Sequence, residues 1–582
     1  MKNPLFIMCL ALLLSACQSS PTPRAPDDTP EPAPVTSEPV TPGEAPAPVA
    51  ELPETLSGEV LYYLLAAEIA LQRNRMDVAV EGYSKAAEAT NDVRVAERAA
   101  RIAVYARDEE RALQAAQKWV QLAPDNAEAR QVLAALLVRT GNGDAALPHF
   151  EALLALNNGD KERQRYMLIT SLLSKEKDKQ AALDVMQQLV AQRQDNPDAQ
   201  YALAHLALMV ESLELAEEAI ERALARRPDW SDAHLLRANV LHRQGETDRL
   251  FKLVRERLDA APDDVPLRLF LARKLVDEQQ FEAARRQFDE VLKREPGHTD
   301  ALYAQGLLAL QMGDYAQAEA SLKQLIAQKR RVNEARYYLG QAAELQDKFD
   351  LALDYYAMIE RGEHYVDARI RAAGILASQD SLAAGREHLQ TTRTDNLDAE
   401  LRLYLAEGEL LLNAREYEEA YRLYNLALEQ MPDNSKLLYA RALVAEKLDR
   451  LDETLADLQR IVDNEPNNAE ALNALGYTLV DATDRIDEGF GYIRRAYKIK
   501  PDEPAIIDSM GWAYYRMGQH DKALEYLQRA FDKLRDGEIA AHLGEVLWVT
   551  GRRDAAREVW DEALREAPEH RVLRDVIERF TR

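Results

Sequence analysis

From about residue 60 the apolar positions recur with the spacing of amphipathic helices, and that pattern itself repeats. Pro228, Pro262 and Pro296 stand 34 residues apart, and Pro432 and Pro466 stand 34 apart again. The register runs through Arg330, His364 and Asp398, which occupy the same place without a proline. Counted from the start of each unit, position 8 is small: Ala67, Ala100, Ala134, Ala204, Ala238, Ala272, Gly306, Gly340, Gly374, Gly408, Ala442, Gly476, Gly511 and Gly544. Position 20 is mostly alanine, as at Ala79, Ala112, Ala284, Ala352, Ala420 and Ala556. Position 24 is mostly bulky, as at Tyr83, Phe150, Phe288, Tyr356, Tyr424 and Trp560. The period predicts two helices of about 12–14 residues per unit. The small residues let the pair approach closely, and the large one fills the groove between units. Proline ends the second helix because it lacks the backbone N–H and disfavours helix in the residue before it.

This pattern resembles the tetratricopeptide repeat, whose period is 34 residues. The resemblance implies an all-α chain, a tetratricopeptide-repeat superhelical solenoid of about fifteen helical hairpins with a C-terminal capping helix. The array is expected over 58–568 and the cap over 569–582, where Leu573, Val576, Ile577 and Phe580 share one face. An array needs a cap because each unit buries its apolar face only against a neighbour. The unit at 161–196 is a few residues too long and carries Leu168 where the small residue belongs. The unit at 231–264 has Leu250, and that at 367–400 has Arg386, at the alanine position. The unit at 469–503 holds one extra residue.

The N-terminus follows another pattern. Residues 4–14 are an unbroken apolar run behind Lys2, too short to span a bilayer as a helix but of the length of a signal-peptide core. Leu14-Ser15-Ala16-Cys17 follows and resembles the bacterial lipobox. The resemblance implies a lipoprotein signal peptide over 1–16 and a lipidated Cys17 as the mature N-terminus. Gln18 and Ser19 follow, with no aspartate to hold the protein at the inner membrane, so the outer membrane and its periplasmic face are expected. Residues 17–57 form a Pro-rich tether. Eleven prolines and a net charge of −6 between 18 and 57 predict an extended segment without a core.

The whole chain has 582 residues, a net charge of −26 and 30% charged side chains. The acidic balance argues against nucleic acid, which requires a basic surface. Two cysteines, Cys9 and Cys17, exclude a disulfide framework. The ten histidines are scattered. His542 and Glu545 share a helix face, but two ligands do not complete a metal site. No P-loop, nucleophile elbow or dinucleotide fingerprint occurs, and Gly141-Asn142-Gly143 reads as a turn. No enzyme activity, metal or cofactor is expected, apart from the covalent lipid on Cys17.

A repeat array presents an extended concave surface. By the tetratricopeptide resemblance, first-helix positions 5, 9 and 12 line it: Tyr201, Tyr303, Tyr337, Tyr439, Asn473, Tyr477, Asp508, Trp512 and Tyr515. Tyrosines there suit partner binding, although rings at these positions also pack between helices. The lysine and asparagine pattern of a carboxylate clamp is not evident, and the acidic body favours basic or neutral partners. The stretch 508–518, with 473–477, resembles the C-terminal repeats of large bacterial tetratricopeptide lipoproteins. Among them are pseudomonad outer-membrane proteins that partner a carboxyl-terminal processing protease. That resemblance implies a scaffold that binds a periplasmic processing protease and its cell-wall (peptidoglycan) hydrolase substrates and promotes their degradation. A second reading is a structural lipoprotein of an envelope export or assembly machine, such as exopolysaccharide secretion or pilus assembly.

Overall fold

The computed structural model describes residues 57–155, 162–392, 394 and 396–581. The signal peptide, Cys17 and nearly all of the tether therefore lie outside the described residues. All regular structure among those described is helical, in 31 helices from Gly58–Gln72 to Arg571–Thr581. Thirty of them follow one another in the first-helix, second-helix order that the period predicts, and the last stands at the cap position. The chain divides into two compact units, Met1–Asp314 and Tyr315–Arg582.

Local chemistry sets the helix boundaries. Asp92, Asp108, Asn126, Asp178, Asn196 and Asp264 cap helix starts, their side-chain oxygens accepting from amides of the first turn. Asn396, Asn434, Asn468 and Asp536 do the same in the second unit. In most pairs the turn between the two helices holds one residue in the left-handed region, seven places after the small marker. Glycine occupies it at Gly141, Gly245, Gly313, Gly518 and Gly551, whereas Arg107, Glu211 and Arg415 adopt it at the cost of a Cβ clash. Gly141 thus sits at a helix–helix turn with φ of 79°.

Within each unit the core lies between paired helices and between successive pairs. The alanines at position 20 are fully buried, among them Ala79, Ala112, Ala216, Ala318, Ala420 and Ala523. The bulky residues of position 24 are buried with them: Tyr83, Phe150, Phe288, Tyr356, Tyr424 and Trp560 each expose 2% or less. Exposed ion pairs bridge neighbouring repeats from the last turn of one second helix to the Pro-Asp turn before it. Examples are Arg257–Asp229 at 2.9 Å, Arg294–Asp263 at 2.8 Å and Lys533–Asp502 at 3.1 Å. Such pairs contribute about 0–1 kcal/mol each.

The irregular units differ from their sequence reading in instructive ways. In the long unit Thr170, not Leu168, holds the small position. Thr170 is 1% exposed, with Ala182 and Met186 buried at the two following markers, while Leu168 is 37% exposed. Two added residues ahead of the helix Glu162–Leu173 shift the count. At Leu250 the larger residue at position 20 is matched by a smaller one, Val254, four residues on, and both are buried. In the unit with one extra residue, Gly476 faces Gly489 and Ile493. Arg386 leaves the interface altogether. It pairs with Glu407 at 3.0 Å and with Glu419 at 2.5 Å, and Gly385 takes over the close approach, against Ala373 and Ala377. The closing helix packs Leu573 into the last core, with Val576, Ile577 and Phe580 partly buried beside it.

Candidate partner-binding face

The residues expected on the first-helix face are distributed over both units. In the first, Tyr201 and Tyr303 are buried. Tyr201 stacks on Trp230 with ring centroids 4.6 Å apart, and the Arg163 guanidinium lies 5.0 Å from its ring. This ring packs between successive hairpins. In the second unit Tyr337 and Tyr439 are half-buried. Tyr337 lies flat on His364, 4.5 Å away and 7° from parallel. Burial pushes the Tyr439 hydroxyl up from its ordinary pKa.

Four of the remaining residues come together, with Asn473 one turn away. Asn473 and Tyr477 stand on the helix Ala469–Ala482, and Asp508, Trp512 and Tyr515 on Pro504–Arg516. They converge around His542, on Gly537–Val549. The His542 Nδ1 lies 2.8 Å from Asp508 Oδ2, and Nε2 lies 3.3 Å from the Tyr477 hydroxyl. The imidazole stacks on the Trp512 indole at 4.2 Å and 22°. Trp512 Nε1–H donates to Asp481 Oδ1 at 2.9 Å, and Tyr515 lies beside the indole at 5.1 Å. The Tyr515 hydroxyl donates to Glu545 at 3.2 Å, and Arg579 of the closing helix pairs with that same carboxylate.

The electrostatics of the cluster are set by burial and by acids. Burial pushes the His542 imidazole down, but Asp508, Glu538 and Asp481 push it up harder, so its pKa rises above the ordinary value. When protonated, the ring donates from both nitrogens, to Asp508 and to Tyr477. The Glu538 carboxyl is raised, first because the surrounding walls strip its hydration, even though its side chain still reaches solvent. Burial also raises Tyr477, and raises Tyr515 to about 12. Asp508 Oδ1 and Asn473 Oδ1 are buried acceptors without a hydrogen-bond partner. Both atoms are closed off from solvent, so each costs free energy while it lacks a donor.

Both His542 nitrogens are engaged, by Asp508 and by the Tyr477 hydroxyl, and the nearby Ser509 hydroxyl donates to Ala505 O at 2.9 Å. Among the described residues no three His, Cys, Asp or Glu side chains group to hold a metal ion, and His542 and Glu545 go to different partners. No helix among them is long and apolar enough to cross a membrane. Sequence reasoning singled out Tyr477, Asp508 and Trp512 but missed His542 as their hub. A signal exists: His542 stands two residues before the small marker, where other repeats place Ala202, Ala304, Ala440 and Ala474.

Comparison with known proteins agrees with the architecture. Tetratricopeptide repeat signatures match residues 173–240, 271–311, 303–364, 439–504 and 509–571. A TPR repeat-containing protein of Pseudomonas aeruginosa is 34% identical over 548 residues, covering 94% of this chain and 90% of its own. Cellulose synthase operon protein C of Pseudomonas fluorescens is 22% identical over 467 residues, covering 60% of this chain and 35% of its own. Among solved structures, a TPR protein of Thermus thermophilus aligns with 31% of this chain and 95% of its own, at 23% identity and a TM-score of 0.28.

Proposed function

Because this chain belongs to the tetratricopeptide-repeat family, we propose that it is a non-catalytic scaffold that binds partner proteins. In full, the proposal is an outer-membrane-anchored periplasmic adaptor, lipidated at Cys17. It binds a carboxyl-terminal processing protease together with peptidoglycan-hydrolase substrates and promotes their degradation. The observation that carries the binding role is the cluster of Tyr477, Asp508, Trp512, Tyr515 and His542. It joins aromatic side chains of three successive repeats, on the first-helix face, around one imidazole. The adaptor role is supported by the lipobox resemblance at Cys17, the Pro-rich tether and the resemblance of the last repeats to protease-partner lipoproteins. The mechanism is effective concentration. Two proteins held on one surface meet as if intramolecular, which raises their encounter without any new chemistry.

The test is capture and degradation. The full protein, tagged, is used to retain proteins from a periplasmic and envelope extract, which are identified by mass spectrometry. A processing protease retained with cell-wall hydrolases supports the adaptor reading, as does faster hydrolase degradation when the scaffold is added to the protease. Cys17→Ser is expected to release the protein from membranes. Similarity to a cellulose synthase operon protein favours one alternative, a structural part of an envelope export machine. Retention of export or barrel components without any protease would establish that alternative and sink the adaptor.

A further inference from the structure

In most repeats of the second unit the small residue at position 8 is covered by a large side chain from the paired helix. A Cβ on Gly340 would run into the Tyr356 ring, one on Gly408 into Tyr424, one on Gly511 into Leu527 and one on Gly544 into Trp560. Gly374 is the exception, with nothing within 4 Å of its Cβ position. The cause lies in how its partner helix, Leu382–Gln390, sits against it. Its register has slipped by one. Gly385 makes the close approach usually made one residue later, since a Cβ there would stand 2.6 Å from Ala373 O. Leu389 is then buried in place of a position-24 residue, and Gln390, which holds that position, is exposed and donates to Glu407. The side chain that elsewhere covers the glycine is missing.

A cleft of about 500 Å³ remains, with Gly374, Ile370, Leu389 and Leu410 among its apolar walls. Binding clefts commonly enclose about 300–1,000 Å³ with apolar walls and a few polar groups. Here the polar groups include Glu409 and Asn413, both exposed. The flanking repeats show what fits this place: Tyr356 covers Gly340 and Tyr424 covers Gly408. We propose that the cleft beside Gly374 is a socket for one aromatic side chain of a partner polypeptide, with a lysine or arginine next to it in the partner sequence. The aromatic ring replaces the missing internal one. The cation answers Glu409, in a chain whose overall net charge is −26. This rests on the reading of the chain as a partner-binding scaffold and specifies the chemistry of the partner.

The probe is acetyl-Lys-Trp amide at millimolar concentration, followed by saturation-transfer NMR on the purified full chain. Saturation is expected on the indole protons, and its level is expected to fall at least threefold in Gly374→Leu, whose side chain starts into the cleft from a Cβ position with nothing within 4 Å. Acetyl-Glu-Trp amide is expected to give at most half the signal of the lysine probe on the wild type, and Glu409→Gln to remove that difference. Helical circular dichroism checks the fold. If Gly374→Leu loses helix, Ala406→Phe blocks the cleft from the opposite wall. Equal indole signals from wild type and a folded, blocked variant would overturn the socket. In the capture experiment, partners retained equally by both forms also overturn it while leaving the scaffold reading standing. Partners retained by neither form overturn the scaffold reading itself.

Discussion

Gly374 and Gly476 occupy the same repeat position, both inside helices, yet alanine is expected to act on them in opposite directions. Alanine in a helix interior is favoured over glycine by about 1 kcal/mol at either site. At Gly374 nothing opposes that gain, because the Cβ enters open space. At Gly476 the Cβ would stand 2.6 Å from Gly489 O and 2.9 Å from Ile493 N, both backbone atoms of the paired helix. Relief requires the helices to part by roughly 0.8 Å, which loses van der Waals contact along the whole pair. Overpacking of this kind costs about 1–3 kcal/mol. The net expectation is a gain of up to about 1 kcal/mol for Gly374→Ala and a loss of up to about 2 kcal/mol for Gly476→Ala. A repeat array need not unfold in one step, so a single melting temperature is the wrong measure. Native-state hydrogen exchange read by mass spectrometry resolves Tyr365–Gln379 from Ala469–Ala482. Slower exchange in the first variant and up to thirtyfold faster exchange in the second is expected, since about 1.4 kcal/mol is tenfold. Equal shifts of the same sign would refute the packing argument.

Further outcomes follow from the same structure. The raised pKa of His542 means that its contribution is fully present below about pH 6.5 and is lost as pH rises through the higher folded value. Hydrogen exchange of Gly537–Val549 between pH 6 and 9, corrected for its intrinsic pH dependence, should therefore show a loss of protection that His542→Gln flattens; the groups facing the ring are Asp508, Tyr477, Trp512, Glu538 and Asp481. Gly518 has φ of 75°, so Gly518→Ala should cost about 1–2 kcal/mol in the same exchange assay, whereas Glu211→Gly, at φ of 65°, should gain. Arg441 holds the 5%-exposed Asp457 through bonds of 2.6 and 2.8 Å. Arg441→Met should cost about 3–5 kcal/mol, and restoring neutrality with Asp457→Leu in a double variant should recover much of it in denaturant unfolding. Trp512 is 7% exposed, and Trp512→Ala should cost about 3–5 kcal/mol locally, so Tyr477→Phe is the gentler variant for partner capture.

Much of this protein follows from the amino-acid order alone, because repeat architecture is local. Position 8, position 20, position 24 and the proline turn each act within one hairpin or against the next. Their side chains, from Ala79 and Tyr83 to Ala556 and Trp560, are buried where the period places them. The turn residues and helix caps are equally short-range. Two kinds of fact required the tertiary structure. The first is contact across repeats: His542 reaches Asp508 one repeat back and Tyr477 two repeats back, and no periodicity in one helix reveals that pairing. The second is register between paired helices. In the sequence Gly374 carries the same mark as Gly340 and Gly408. A one-residue slip, with Gly385 in contact and Arg386 drawn away to Glu407 and Glu419, leaves it uncovered. Spacing along the chain determines which residues face inward. How far one helix has slid along its partner is decided by close packing and ion pairing between side chains distant in sequence.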